Sequence, residues 1–151
     1  MRTSVTIVIE RPVEAVWRWA ADPRQWPRWQ EGVRDVLLEA EPEEGARFTC
    51  ALEYGGEYDE WEYEIVERRP PRRQTVRSLA DPASGDFEST LELSEHVGGC
   101  YVRLTADSGP DDALAAFLFA VLTPLIRRST RRQLRRQLER LKTMVELEAA
   151  L

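Results

Sequence analysis

The stretch EYDEWEYEIVE, residues 57–67, indicates the fold class of this chain. Its aromatic and apolar side chains alternate with acidic ones: Trp61, Tyr63 and Ile65 face one way, and Glu60, Glu62 and Glu64 face the other. Successive side chains of a strand point to opposite faces, so this alternation predicts a strand with one dry and one wet face. Such a strand is typical of an antiparallel sheet, whose dry face must be covered by another element.

Six further segments have strand character, and short turns containing Gly, Pro or Asp follow most of the later ones. With the central strand at 58–68, the predicted strands are residues 4–10, 33–40, 47–54, 74–79, 86–94 and 100–106. Short turns between successive strands predict hairpins, and therefore a seven-stranded antiparallel meander.

Three other segments have helical patterning. Residues 12–21 carry an apolar stripe and open on a proline, which is tolerated at the start of a helix. A short turn or helix at 24–30 carries Trp26 and Trp29. A long helix follows the break at 109–112 and reaches about Leu147; the apolar stripe of its second half is Leu134, Leu138, Leu141 and Val145. The order of elements predicts an α+β fold in which a curved seven-stranded sheet grips one long C-terminal helix, with two short helices between strands 1 and 2.

The first half of the long helix, residues 113–126, is apolar on every side. Such a segment must be covered or must line a space, so Phe117 and Phe119 predict either a cavity wall or a homodimer contact. Its 14 residues are too few to cross a bilayer, which takes about 20. Pro124 predicts a kink, unless Thr123 and Pro124 begin a new helix.

The second half of the helix is rich in arginine between Arg127 and Arg140. We interpret these side chains as a solvated face whose charges offset the acidic sheet. Contact with an anionic membrane surface or with nucleic acid is the alternative.

Composition narrows the possible functions. The 151 residues fit one domain, 1–151, and a net charge of −6 argues against nucleic acid as a partner. The first residues lack the pattern of a secretory leader and read as a strand, so a cytoplasmic location is predicted. Cys50 and Cys100 are expected to be free buried thiols, although a disulfide between them stays open.

The residue types needed for several chemistries are missing. The single histidine, His96, lies in a turn-like stretch, and no cluster of His or Cys has the spacing of metal ligands. We therefore expect neither a metal nor another cofactor. Acid–base catalysis stays open, because one desolvated group in an apolar cavity can suffice. No catalytic residue is assigned. Arginines and tyrosines lie on the predicted strands, and which of them point inward stays open: Arg77, Arg103, Tyr54, Tyr63 and Tyr101.

Three segments carry a family resemblance: TIVIERPVEAVWRWAADPRQWPRW at the start, GGEYDEWEYEIVERRPPRR in the middle and RRSTRRQLRRQLERLKTMVE near the end. Together with the order of elements, they resemble the helix-grip superfamily of START domains and the major birch pollen allergen (SRPBCC). Within it, the chain is most similar to the bacterial polyketide cyclase/dehydrase and lipid-transport group. The resemblance implies a cavity for a hydrophobic small molecule between the sheet and the long helix.

In such a cavity, Trp26 and Trp29 are expected either to form an end wall or lid, or to fill a core seam beside the short helices. The predicted ligand-binding residues, chosen for size and for strand or helix parity, are Trp29, Phe48, Leu52, Trp61, Tyr63, Leu91, Phe117 and Val121. The favoured function is binding of a lipid, polyketide or isoprenoid. The alternatives are a cofactor-independent cyclase or dehydratase, and a membrane-associated lipid chaperone.

Overall fold

The computed structural model describes residues 2–54, 56–79, 86–109 and 113–150. Its strands are β1 (Arg2–Ile9), β2 (Val33–Leu37), β3 (Arg47–Tyr54), β4 (Glu57–Arg69), β5 (Arg73–Ser78), β6 (Asp86–His96) and β7 (Gly99–Gly109). Its helices are α1 (Val13–Ala20), a 3₁₀ turn (Pro23–Gln25), α2 (Trp26–Trp29) and α3 (Ala113–Ala150). The predicted helix-grip architecture is confirmed, and the strand bounds differ from the predicted ones by a few residues.

The strands form one antiparallel sheet in the order β1-β7-β6-β5-β4-β3-β2. The alternation in β4 is as predicted, since Tyr63 and Ile65 are buried while Glu60 and Glu62 are exposed. β2 ends at Leu37 and not at residue 40, and its pairing with β3 shifts register between Arg34 and Leu37. Irregularities of this kind disrupt the ladder locally and bend the strand.

The second half of α3 covers one end of the inner sheet face and packs on β1, β7 and both short helices. The predicted stripe is fully or nearly fully buried: Leu134, Leu138, Leu141 and Val145. The edge of β1 is also held by polar contacts, since Lys142 Nζ donates to the carbonyl of Val8 at 3.3 Å. This grip arises from a 3.6-residue apolar period that the sequence shows directly.

The helix α3 is assigned without interruption through Pro124. The alternative in which Thr123 and Pro124 begin a separate helix is therefore wrong, and a kink at Pro124 stays a prediction. Within the described residues, no helix combines the length and hydropathy needed to cross a bilayer.

Cys50 and Cys100 are free and buried, as predicted. Burial raises the pKa of Cys50 to about 12 and that of Cys100 to about 11. Both thiols are therefore protonated and unreactive at neutral pH, because the thiolate is the nucleophilic form.

Candidate ligand-binding cavity

A cavity of about 420 Å³ lies between the inner face of the sheet and α3. Every strand contributes at least one side chain to its wall, and the loop after α2 and the middle of α3 complete it. The curved sheet and α3 leave a space between them, and the cavity occupies that space. Its volume falls within the range of about 300–1,000 Å³ usual for small-molecule sites.

Aromatic rings form one wall of the cavity. Tyr63 stacks on Trp61 with ring centroids 6.5 Å apart, and Trp26 meets Tyr63 edge to face at 6.2 Å. Phe87 and Leu134 add apolar area to the same cavity. Edge-to-face and offset-stacked pairs are favourable aromatic geometries, so this wall is well suited to contact a flat apolar ligand.

Neutral polar side chains form a second part of the lining. Thr3, Ser89, Thr130, Gln133 and Gln137 bring hydroxyl and amide groups to the cavity. Thr3 is 2% exposed, and its hydroxyl has no hydrogen-bond partner among the described residues. A buried hydroxyl without a partner carries a free-energy penalty that a ligand with a suitable polar group would remove.

A salt bridge closes the rim where the loop after α2 meets α3. Arg136 Nε and Nη2 lie 2.9 and 3.1 Å from the two carboxylate oxygens of Glu31. The hydrogen bond from Arg136 lowers the pKa of Glu31. Gly32, the next residue, has a φ of +70°, a conformation that glycine adopts without strain. At the rim, the glycine thus allows the chain to turn, and the ion pair joins the loop to α3.

The predicted lining residues divide into three groups. Leu52, Trp61 and Tyr63 line the cavity. Trp29, Phe48 and Leu91 are buried in the core but lie outside the lining. Phe117 and Val121 are 66% and 62% exposed and lie away from the cavity.

Physical reasons separate these groups. Phe48 has the correct parity but stacks behind Tyr63, with ring centroids 5.5 Å apart. Phe117 and Val121 belong to the first half of α3, and the first buried residue that the structure describes along this helix is Leu134. Of the two tryptophans in the short helices, Trp26 lines the cavity, while Trp29 is 1% exposed and fills the core.

Sequence reasoning missed the polar part of the lining. Thr3 shares the inward parity of Val5 and Ile7, but the predicted strand began one residue after it. Gln137 lies three residues from Leu134 and so shares its helix face. Both residues could have been found by extending the apolar patterns to the polar members of the same face.

The ionisable candidates on the strands also separate clearly. Tyr63 is 4% exposed and lines the cavity. Tyr101 and Arg103 are exposed on the outer face, and exposed Arg77 pairs with Glu88 at 3.0 Å. The side chain of Tyr54 lies outside the described residues. His96, half-buried, contacts Tyr101 edge to face at 4.5 Å and does not line the cavity.

Solved structures share this fold over the whole chain. A protein from Thermus thermophilus, TTHA0849, superposes with a TM-score of 0.78 at 19% identity and covers 100% of both chains. The aromatase/cyclase ZhuI from Streptomyces sp. R1128 gives 0.72 at 16% identity, covering 97% of this chain and 93% of its own. The di-domain aromatase/cyclase StfQ of the steffimycin biosynthetic pathway gives 0.81 at 11% identity, covering 99% of this chain and 52% of its own. At these identities the likeness concerns the fold.

The sheet, the gripped helix and the space between them define a helix-grip protein with an internal cavity. A comparison with curated proteins finds no match. The model of one family, polyketide cyclase/dehydrase and lipid transport, matches residues 1–146. The chain belongs to that family, as the resemblance of its segments indicated.

Proposed function

We propose that this protein binds a hydrophobic small molecule bearing neutral polar groups in the cavity between the sheet and α3. The observation that carries the proposal is the composition of the lining, in which an aromatic wall faces neutral hydroxyl and amide groups. Sites of this kind bind an apolar body through the wall and fix its orientation through a few polar contacts.

The ligand class follows from the charges of the lining. Glu31 and Glu53 are the acidic residues of the described lining, and neither is buried. Burying an unpaired charge in the interior would be strongly unfavourable, so the enclosed part of the ligand is neutral. The hydroxyls and amides favour an oxygenated ring system over an unsubstituted hydrocarbon chain. Oxygenated ring systems and hydrocarbon chains both fit the description of the family, which names polyketide cyclase/dehydrase and lipid transport.

Quenching of tryptophan fluorescence tests the proposal, because Trp26 and Trp61 belong to the wall. The probes are a dihydroxyanthraquinone and hexadecanol, which share an apolar body but differ in polar groups and shape. We expect tighter binding of the anthraquinone. Native mass spectrometry of the gently purified protein would then identify a ligand retained from the cell.

A cavity-filling variant locates the binding. Ala106 is 7% exposed and lines the cavity, so A106F should place a ring in the empty space and reduce affinity at least tenfold. Val97 is 95% exposed in the turn between β6 and β7, so V97F adds a larger apolar side chain elsewhere and should bind like the wild type. Equal affinity of both variants would place the ligand outside the cavity and contradict the proposal.

A second function, cofactor-independent cyclisation or dehydration, is favoured by the buried phenol of Tyr63 in the cavity wall. In a dehydration, the phenol would give its proton to the departing hydroxyl as the C–O bond breaks and water leaves. The resulting phenolate would take up the α-proton of the substrate as the C=C bond forms, which restores the phenol. Incubation with a linear poly-β-ketone thioester, followed by mass spectrometry, tests for loss of water. Y63F should keep binding and lose turnover; unchanged turnover would exclude Tyr63 from the reaction.

A further inference from the structure

The first half of α3 presents exposed apolar side chains on one face. These side chains, here called the apolar tip, are 66%, 53%, 62% and 69% exposed in chain order: Phe117, Leu118, Val121 and Leu125. Their spacing keeps them on one side of a helix with 3.6 residues per turn. This side lies roughly opposite the buried stripe that begins at Leu134.

This face leads into a cluster of exposed arginines, of which Arg128, Arg132 and Arg135 continue it. This cluster, here called the arginine belt, consists of Arg127, Arg128, Arg131, Arg132 and Arg135. Arg128 follows Leu125 by three residues and Arg132 follows it by seven, so these two arginines share the helix face of the tip.

The belt is not neutralised within the part of the chain that the structure describes. The next arginine, Arg136, pairs with Glu31 at 2.9 Å, whereas no ion pair between described residues involves the belt. Residues 113–138 contain six arginines and no acidic residue, which leaves a net charge of −12 on the rest of the chain. The positive charge of this acidic protein is thus concentrated beside its exposed apolar surface.

We propose that the apolar tip and the arginine belt dock the protein onto an anionic lipid bilayer. Phe, Leu and Val side chains suit the boundary between headgroups and acyl chains, and arginines suit the anionic headgroups beside it. The tip spans about 12 Å along the helix at 1.5 Å per residue, so a helix lying in the plane of the interface brings all four side chains to the lipid together. Docking goes beyond the proposed ligand binding and does not depend on it.

Other occupants use only part of this surface. Nucleic acid would engage the belt but leaves the apolar tip without a role. A second copy would cover the tip, but the belt would gain no opposite charge from it. An anionic bilayer engages both parts together.

Docking would also bring the cavity close to the lipid. Thr130 and Gln133 line the cavity and lie between the arginines of the belt along α3. A bilayer bound at the belt therefore lies within a few turns of the cavity wall. This placement allows an apolar ligand to move between the bilayer and the cavity with only a short path through water.

Vesicle flotation with the full-length protein tests the proposal. The probes are vesicles of phosphatidylcholine alone and of phosphatidylcholine mixed with phosphatidylglycerol, each at low and high salt. We expect binding to the anionic vesicles that weakens at high salt, and little binding to the neutral ones. Absence of binding to anionic vesicles at low salt, or equal binding to both vesicle types, would overturn the proposal.

Paired variants distinguish the loss of this surface from a general change in charge or hydropathy of the protein. R128E/R132E should reduce binding at least tenfold, whereas R2E/R18E makes the same charge change at exposed arginines elsewhere and should keep most of it. V121D should also reduce binding at least tenfold, and V97D serves as its control at another exposed valine. All of these positions are exposed, so circular dichroism should show an unchanged fold.

Two further results would assign the surface to another occupant. A dimer in sedimentation velocity that V121D dissociates, without vesicle binding by the wild type, would assign the tip to a second copy. Retention of duplex DNA that R128E/R132E abolishes and V121D leaves unchanged would assign the belt to nucleic acid. Either result overturns bilayer docking.

Discussion

Two leucines of α3, about one turn apart, should differ in their contribution to stability. Leu138 is 0% exposed and does not line the cavity, whereas Leu134 is 7% exposed and lines it. Truncation of either to alanine removes buried apolar atoms. Only at Leu138 does truncation create a new void in a packed region, because the space beside Leu134 is already empty.

The difference can be estimated from the two terms of a large-to-small substitution. Leucine-to-alanine changes in cores cost about 2–5 kcal/mol, of which the transfer of the lost atoms is about 2 and the remainder grows with the new void. We expect L138A to lie near the upper end, at about 4 kcal/mol, and L134A near the lower end, at about 2 kcal/mol. For a domain of this size, each kcal/mol lowers Tm by about 2–4 °C.

Urea denaturation followed by circular dichroism measures both variants on the same scale. Equal m-values are needed for the comparison, since a changed slope indicates a change in the surface exposed on unfolding. The estimate would be refuted if L134A lost as much free energy of unfolding as L138A, or more. That result would mean that the space beside Leu134 is filled in the folded protein.

Three further results are expected. Cys50 and Cys100 should resist iodoacetamide at pH 8 until urea is added, because their raised pKa values keep both thiols protonated in the folded state. For the same reason, the free energy of unfolding should fall as the pH rises from about 9 toward 11, where the thiols ionise in the unfolded chain only. A Cys50→Ala/Cys100→Ala variant should lose less unfolding free energy over this pH range. The pKa of Glu31 is lowered in the folded state, so its bond to Arg136 stabilises the fold fully above the carboxylate's ordinary pKa of 4.5, and this stabilisation is lost as the pH falls through the folded pKa. E31Q should lower Tm at pH 7, and the difference from the wild type should shrink as the pH is lowered below 4.5. G32A should destabilise by about 1 kcal/mol because of its positive φ, and an unchanged Tm would show that this backbone relaxes.

The sheet and the grip could be predicted because each depends on a pattern visible in consecutive residues. The alternation around Tyr63 identified the inner face of β4, and the period of Leu134, Leu138 and Leu141 identified the face of α3 that packs on the sheet. Both patterns report which residues leave water. Neither reports whether the buried side chain meets another side chain or an empty space.

Because the patterns report burial alone, only some of the residues predicted to line the cavity do so. Phe48 and Tyr63 are cross-strand neighbours with the same parity, yet one packs behind the other. The outcome depends on sheet curvature and on the position of Trp26, which are properties of the assembled fold. Phe117 and Val121 lie in a segment that is apolar all round and therefore carries no directional signal.

The two outer strands of the sheet have a consequence for the behaviour of the protein at high concentration. An open antiparallel sheet offers unpaired backbone groups at both edges, and these can recruit strands from other molecules into aggregates. Here β1 is flanked by α3, with Lys142 bonded to the carbonyl of Val8, and β2 is five residues long and distorted at Asp35, which has a φ of 54°. A fold that stays open to enclose a cavity is thereby protected from adding a foreign strand at either side.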